Sequence, residues 1–221
     1  MINVNFQERI LNSGDWATAL FIISFIIIAI NRNVFNPRFV EFSRLAVSNK
    51  YTKIYKDSSN MLSGFTISLF LVQLISFSFF ILLTLSHFNI FKKNDGIAYI
   101  QVFTFLGVFI LSKYLIEKII ATTFNMEEFN EQFNLLKVSY RTYLGFVLLP
   151  VNLVLFYNNL DYTWIYIGLI FILLILNGLA YFFTLKTYQN FVARKMFYFI
   201  LYLCTLEIAP YYFIYYWITK K

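Results

Sequence analysis

MLSGFTISLFLVQLISFSFFILLTL, residues 61–85, runs for 25 positions without a charged side chain. At about 1.5 Å of rise per residue it makes a helix of roughly 37 Å, more than the roughly 30 Å of a bilayer's hydrocarbon core. That length and composition read as a membrane span. Further apolar runs lie at Trp16–Ile30, Ile97–Ser112, Tyr143–Tyr157, Tyr162–Leu185 and Met196–Thr219. The expected fold is an all-α, polytopic transmembrane helix bundle. It is a single domain over residues 1–221, with six spans at about 15–31, 61–86, 97–119, 142–158, 162–185 and 196–218. The fourth run is short and holds Pro150 and Asn152, which leaves a five-span or re-entrant reading open.

Composition agrees. The 221 residues are 60% hydrophobic and 22% aromatic, and their charged share of 13% is about half that of a soluble domain. The first span is expected to stay in the mature protein. Glu8 and Asp15 precede it, and no small-residue cleavage pattern stands before Asn31-Arg32. Asp15 reads as the N-cap of that helix and Trp16 as its interfacial anchor.

Lys and Arg set the expected orientation. Segments 31–60, 113–141 and 186–195 together hold 13 of the 18 basic residues, which assigns them to the cytoplasm. Both termini then lie outside, on the periplasmic side of an inner membrane. The net charge of +7 follows from this asymmetry and points to anionic lipid as partner; no compact basic domain is left for nucleic acid.

Two cytoplasmic stretches carry helical patterns. Asn36-Pro37-Arg38 begins a short amphipathic helix expected to lie on the membrane surface. Its basic residues Arg38 and Arg44, with Lys50, Lys53 and Lys56 beyond, face lipid headgroups. A docking helix for a partner is the alternative. In the second stretch Phe124, Phe129, Phe133, Leu136 and Tyr140 alternate with Glu127, Glu128 and Glu131. Without an Asp/Gly-rich loop these acids read as a solvated face, not a cation site.

Cysteine and histidine usage narrows the chemistry. Cys204 is the one cysteine, so no internal disulfide forms, and it reads as a small core residue. The one histidine, His87, excludes bis-histidine ligation and reads as an interface residue. No metal, cofactor or catalytic constellation is called.

Glu207 is the candidate site. By helical rise it lies about 15 Å below Trp217 and about 18 Å from Lys195, near the bilayer midplane. An acid there costs about 3 kcal/mol, so it should face the protein interior and either carry a proton or have a partner. Pro210 frees the Leu206 carbonyl beside it, and Tyr211 shares its helix face. Asn152, Gln73 and Asn177 are expected to supply a mostly neutral hydrogen-bonded cluster, with Lys113 as a less favoured ion partner whose amine snorkels to the cytoplasm. The same acid, kink and tyrosine could equally lock helices together.

Four stretches carry a resemblance: Ser13-Gly14-Asp15-Trp16, Phe35-Asn36-Pro37-Arg38-Phe39, Ser48-Asn49-Lys50-Tyr51, and Cys204-Thr205-Leu206-Glu207-Ile208-Ala209-Pro210. Together they resemble an uncharacterised Bacteroidota family of small polytopic inner-membrane proteins, a domain of unknown function with a C-terminal CTLEIAP-type motif. The resemblance covers nearly the whole chain, and Gly14 stands where that family has asparagine. It implies a host with a periplasm and lineage-specific secretion and gliding machines, and brings no activity with it.

Three functions compete. Small loops and aromatic-rich spans favour a non-catalytic subunit or assembly factor of a cell-envelope complex, with other inner-membrane subunits as partners. The alternative is a small transporter or proton- or ion-coupled protein using Glu207. A membrane enzyme comes last, because no Ser/His pair, paired carboxylates or metal motif stands within the spans.

Overall fold

The structure, a computed structural model, describes residues 14–45, 51, 54–55, 63–123, 125, 127–158, 162–187, 212 and 216. Among them are six helices and no strand: α1 Asp15–Val34, α2 Asn36–Ser43, α3 Gly64–His87, α4 Gly96–Thr123, α5 Glu127–Tyr157 and α6 Thr163–Thr187. All but α2 are long and apolar enough to cross a membrane, which makes this an all-α, multi-pass architecture. The sixth expected span, 196–218, lies outside the described residues, Tyr212 and Tyr216 excepted.

Local chemistry sets the helix starts. Ser63 caps α3 by accepting from the Thr66 amide, and Asp95 Oδ1 caps α4 by accepting from the Ile97 and Ala98 amides at 3.0 and 3.1 Å. The long helices alternate in direction. One end of the bundle gathers Trp16, whose indole donates to the Asn94 carbonyl at 3.3 Å, and His87, whose Nε2 lies 3.0 Å from Thr163 Oγ1. The other end gathers α2, the start of α3 and the start of α5.

Helix α3 is the centre of the bundle. In its span 61% of residues are buried, against 11% in α4 and 6% in α6. Toward the Trp16 end, Phe79 stacks on Phe21 with ring centroids 4.5 Å apart and lies 4.6 Å from Tyr99, with Trp16 and Phe156 closing the cluster. Offset and edge-on pairs of this kind add about 0.5–1.5 kcal/mol each beyond burial. Toward the α2 end a second core joins Phe39, Phe42, Leu45, Tyr51, Phe65 and Leu69.

Three local expectations change. Gly14, not Asp15, is the N-cap of α1, and Trp16 packs on Phe79 and Tyr99 as a core residue as well as an end marker. Phe39 and Phe42 of α2 are buried, and Phe42 meets Phe65, Tyr143 and Phe146 edge-on, so this helix packs against protein. The second amphipathic stretch is no separate element: 127–141 is the first half of the 31-residue α5, which continues through Pro150. Its Phe133, Leu136, Leu144 and Leu148 are all buried, so one apolar face extends across both halves, and Pro150 points outward.

Candidate functional site

Three neutral polar contacts tie α3 to its neighbours at membrane depth. Ser68 Oγ donates to Asn31 Oδ1 of α1 at 2.9 Å. Thr142 Oγ1 of α5 donates to Gln73 Oε1 at 2.9 Å, and Asn152 Nδ2, three helical turns further along α5, donates to the Ser76 carbonyl at 2.7 Å and its Oγ at 3.2 Å. From the start of α3, Gln73 and Ser76 lie about 14 and 18 Å along a helix about 36 Å long, so both are near its middle. On the α3–α5 side the groups are buried, Gln73 1% exposed and Ser76 and Asn152 0%, whereas Ser68 is half-buried.

Asn152 is held one way round. The Ser76 carbonyl can only accept, so the amide nitrogen must face it. That leaves Asn152 Oδ1 buried without a hydrogen-bond partner. A stranded acceptor of this kind costs about 1–3 kcal/mol. Close approach of the two helices makes the seam possible. A Cβ on Gly145 would stand 2.9 Å from Gln73 Cα and 3.0 Å from its Cγ.

A charged group sits between α4 and α5 toward the α2 end. Glu117 is 3% exposed and accepts from Lys137 Nζ at 3.3 Å; Lys113, one turn from Glu117 on α4, is 9% exposed. Lys137 also lies 5.4 Å from the Phe133 ring centroid. The sequence did not show this pair, because its reading sets Lys113 only against Glu207 and assigns Lys137 to a cytoplasmic segment. The available signal was the four-residue spacing of Lys113 and Glu117, which puts opposite charges on one helix face.

Arg38 forms a third polar group. Its Nη1 donates to Ser63 Oγ at 2.8 Å and its Nη2 to Thr66 Oγ1 at 3.1 Å, while the guanidinium lies 4.8 Å from the ring centroids of both Tyr55 and Phe65. Such cation–π contacts suit a flat, weakly hydrated cation. Arg38 is 8% exposed and engaged by protein, so the headgroup contact expected of it gives way to a clamp joining α2 to α3. Beside it a cavity of about 10 Å³, room for about one water, opens between Tyr51, Thr66, Ser139 and Thr142.

The structure brings Gln73 and Asn152 onto the α3–α5 seam. Asn177 stands apart on α6, its Nδ2 donating to the Leu173 carbonyl of its own helix at 2.9 Å. Lys113 joins Glu117 on the inward face of α4. Arg44 is exposed. Glu207, Pro210, Tyr211, Lys50, Lys53 and Lys56 lie outside the described residues.

Residues 17–218 match the family described as "Domain of unknown function (DUF4271)". The chain belongs to the DUF4271 family. No curated protein and no solved structure matches it. The match takes in all six DUF4271-chain helices but for the first two residues of α1, together with Glu207 and Pro210. The α3–α5 seam, the Glu117–Lys137 pair and the Arg38 clamp are thus all parts of the family domain.

Proposed function

We propose that this DUF4271 chain is a non-catalytic subunit or assembly factor of a cell-envelope complex in a bacterial inner membrane. Its partners are the bilayer and other inner-membrane subunits, not nucleic acid. The observation that supports this reading is how the buried polar groups are used: Gln73 bonds Thr142, Asn152 bonds Ser76, and Glu117 bonds Lys137, each across a helix interface. Groups engaged this way hold helices at fixed depth and register. A transport path needs such groups turned toward water or a substrate.

The finer reading adds six spans with both termini periplasmic, on the basic-residue asymmetry, and a Bacteroidota host whose secretion or gliding machine this protein serves, on the four quoted stretches. Gentle solubilisation of native membranes and isolation of the tagged protein at native expression test it. A stoichiometric membrane-protein partner is expected; a chain that purifies without one and conducts protons in vesicles would overturn the reading. Glu207 separates the two outcomes further. Glu207→Gln keeps a hydrogen-bonding group of the same shape, so assembly should survive it and suffer from Glu207→Leu, whereas proton coupling fails in both.

A further inference from the structure

The outward faces of the five long helices differ in one respect. On α1 the exposed residues from 19 to 30 are Ala, Ile and Phe, and on α6 those from 164 to 182 are Trp, Ile, Phe, Leu and Gly. Exposed positions of α3 are Gly64, Ile67 and Leu71, and those of α5 within the bilayer are Val147, Pro150 and Val154. All of these suit lipid. Among the described residues, α4 is the long helix whose apolar stretch exposes amide and hydroxyl side chains without a partner, Gln101, Thr104 and Ser112, whereas the exposed Thr18 of α1 bonds Tyr157. Among the described residues none of the three has a hydrogen-bond partner. A carboxamide or hydroxyl facing acyl chains gains nothing to replace its lost water.

The pattern around them is regular. Gln101, Thr104, Val108, Leu111 and Leu115 are all exposed and follow a three-four alternation, the spacing of a seam between two parallel helices. This stripe lies opposite the inward face of α4, which carries Tyr99, Lys113, Glu117 and Ala121. Nothing stands within 4 Å of the Cβ position of Gly107 at its edge, so a second helix has room to approach.

We propose that α4 is the self-association face of this protein, and that its occupant is the α4 of a second copy. Two copies inserted with the same topology meet about a twofold axis along the membrane normal, so that each residue of the seam faces its twin at equal depth. A charged residue would meet its own charge there. The polar groups of this face are instead amide and hydroxyl, each both donor and acceptor, and therefore complementary to themselves. Gln101 donates its amide hydrogen to the carbonyl of its twin and receives the same in return, with Thr104 pairing one turn deeper. The first charge on the stripe, Lys118, lies about 33 Å along the helix from Gly96, where its amine reaches the headgroups.

The test is disulfide mapping in isolated native membranes, with Cys204→Ala removing the native thiol. Single cysteines at Gln101, Thr104, Val108 and Leu111 should yield covalent dimers on mild oxidation. Cysteines at Phe103, Leu106 and Ile110, on the inward side, should not. Equal yields on both sides, no dimer at any position, or bonding of the outward positions to a different polypeptide each overturn the proposal. With the Val108 cysteine as reporter, Gln101→Leu should lower dimer yield about threefold or more, the effect of losing an interhelical hydrogen bond, and Gln101→Asn should retain it. An undiminished yield in Gln101→Leu would remove Gln101 from the contact.

Discussion

Gly145→Ala places one methyl where α3 and α5 touch. The new Cβ would sit 2.9 Å from Gln73 Cα, a backbone atom that cannot rotate away. Carbon atoms rest at about 3.5–4.0 Å, so the helices must part by roughly 0.6–1 Å at their crossing. Overpacking of this kind costs about 1–3 kcal/mol, while alanine for glycine in a helix returns about 1 kcal/mol. Gly168 on α6 supplies the control, since nothing lies within 4 Å of its Cβ position. Gly168→Ala carries the same propensity gain without the clash, so the difference between the two variants isolates packing at about 1–3 kcal/mol. For a chain of this size that is a melting temperature lower by about 2–12 °C. Thermal unfolding of both variants in one detergent reads it. Equal melting temperatures would show that the helices do not meet at Gly145, and the α3–α5 seam built on that contact would fall.

Other outcomes follow from the same geometry. Glu117→Gln should destabilise by about 3 kcal/mol by stranding a buried ammonium, and adding Lys137→Met should recover part of the loss; additive effects in this double-mutant cycle would mean that the two residues are not coupled. Arg38→Lys should loosen α2 and speed its proteolysis, because a lysine cannot reach Ser63 and Thr66 as a fork; unchanged cleavage would favour a simple headgroup contact. A cysteine introduced at Asn158 should be labelled by a membrane-impermeant reagent in intact spheroplasts, and one at Ser43 only after permeabilisation; the reverse would invert the expected topology.

Spans were legible because a run such as 61–85 has one physical explanation, and because hydrocarbon thickness fixes its length. Gln73 and Asn152, expected in a hydrogen-bonded cluster beside Glu207, are buried and bond Thr142 and Ser76, while Glu207 lies outside the described residues. Direction around each helix was not legible. The pattern of α3 is apolar on every side, so nothing in the sequence shows that Gln73 faces Thr142 or that Gly145 lets the helices close. Charge misled at 113–141: its basic residues assign the segment to the cytoplasmic side, yet Glu117 and Lys137 pair inside the bundle. Arg38 misled similarly, because its aromatic neighbours Tyr55 and Phe65 come from 17 and 27 residues downstream.

The Glu117–Lys137 bond also bears on how the chain is made. Synthesis runs from the N-terminus, so Gly96–Thr123 reaches the bilayer while residue 137 is still inside the ribosome. During that interval the carboxylate of Glu117 has Lys113, one turn back on the same helix, as its nearest cation. Its bond to Lys137 closes only when the next helix enters. A ribosome that stalls before the next helix emerges therefore leaves Glu117 without its bond to Lys137, a state that quality-control proteases can distinguish from the finished bundle.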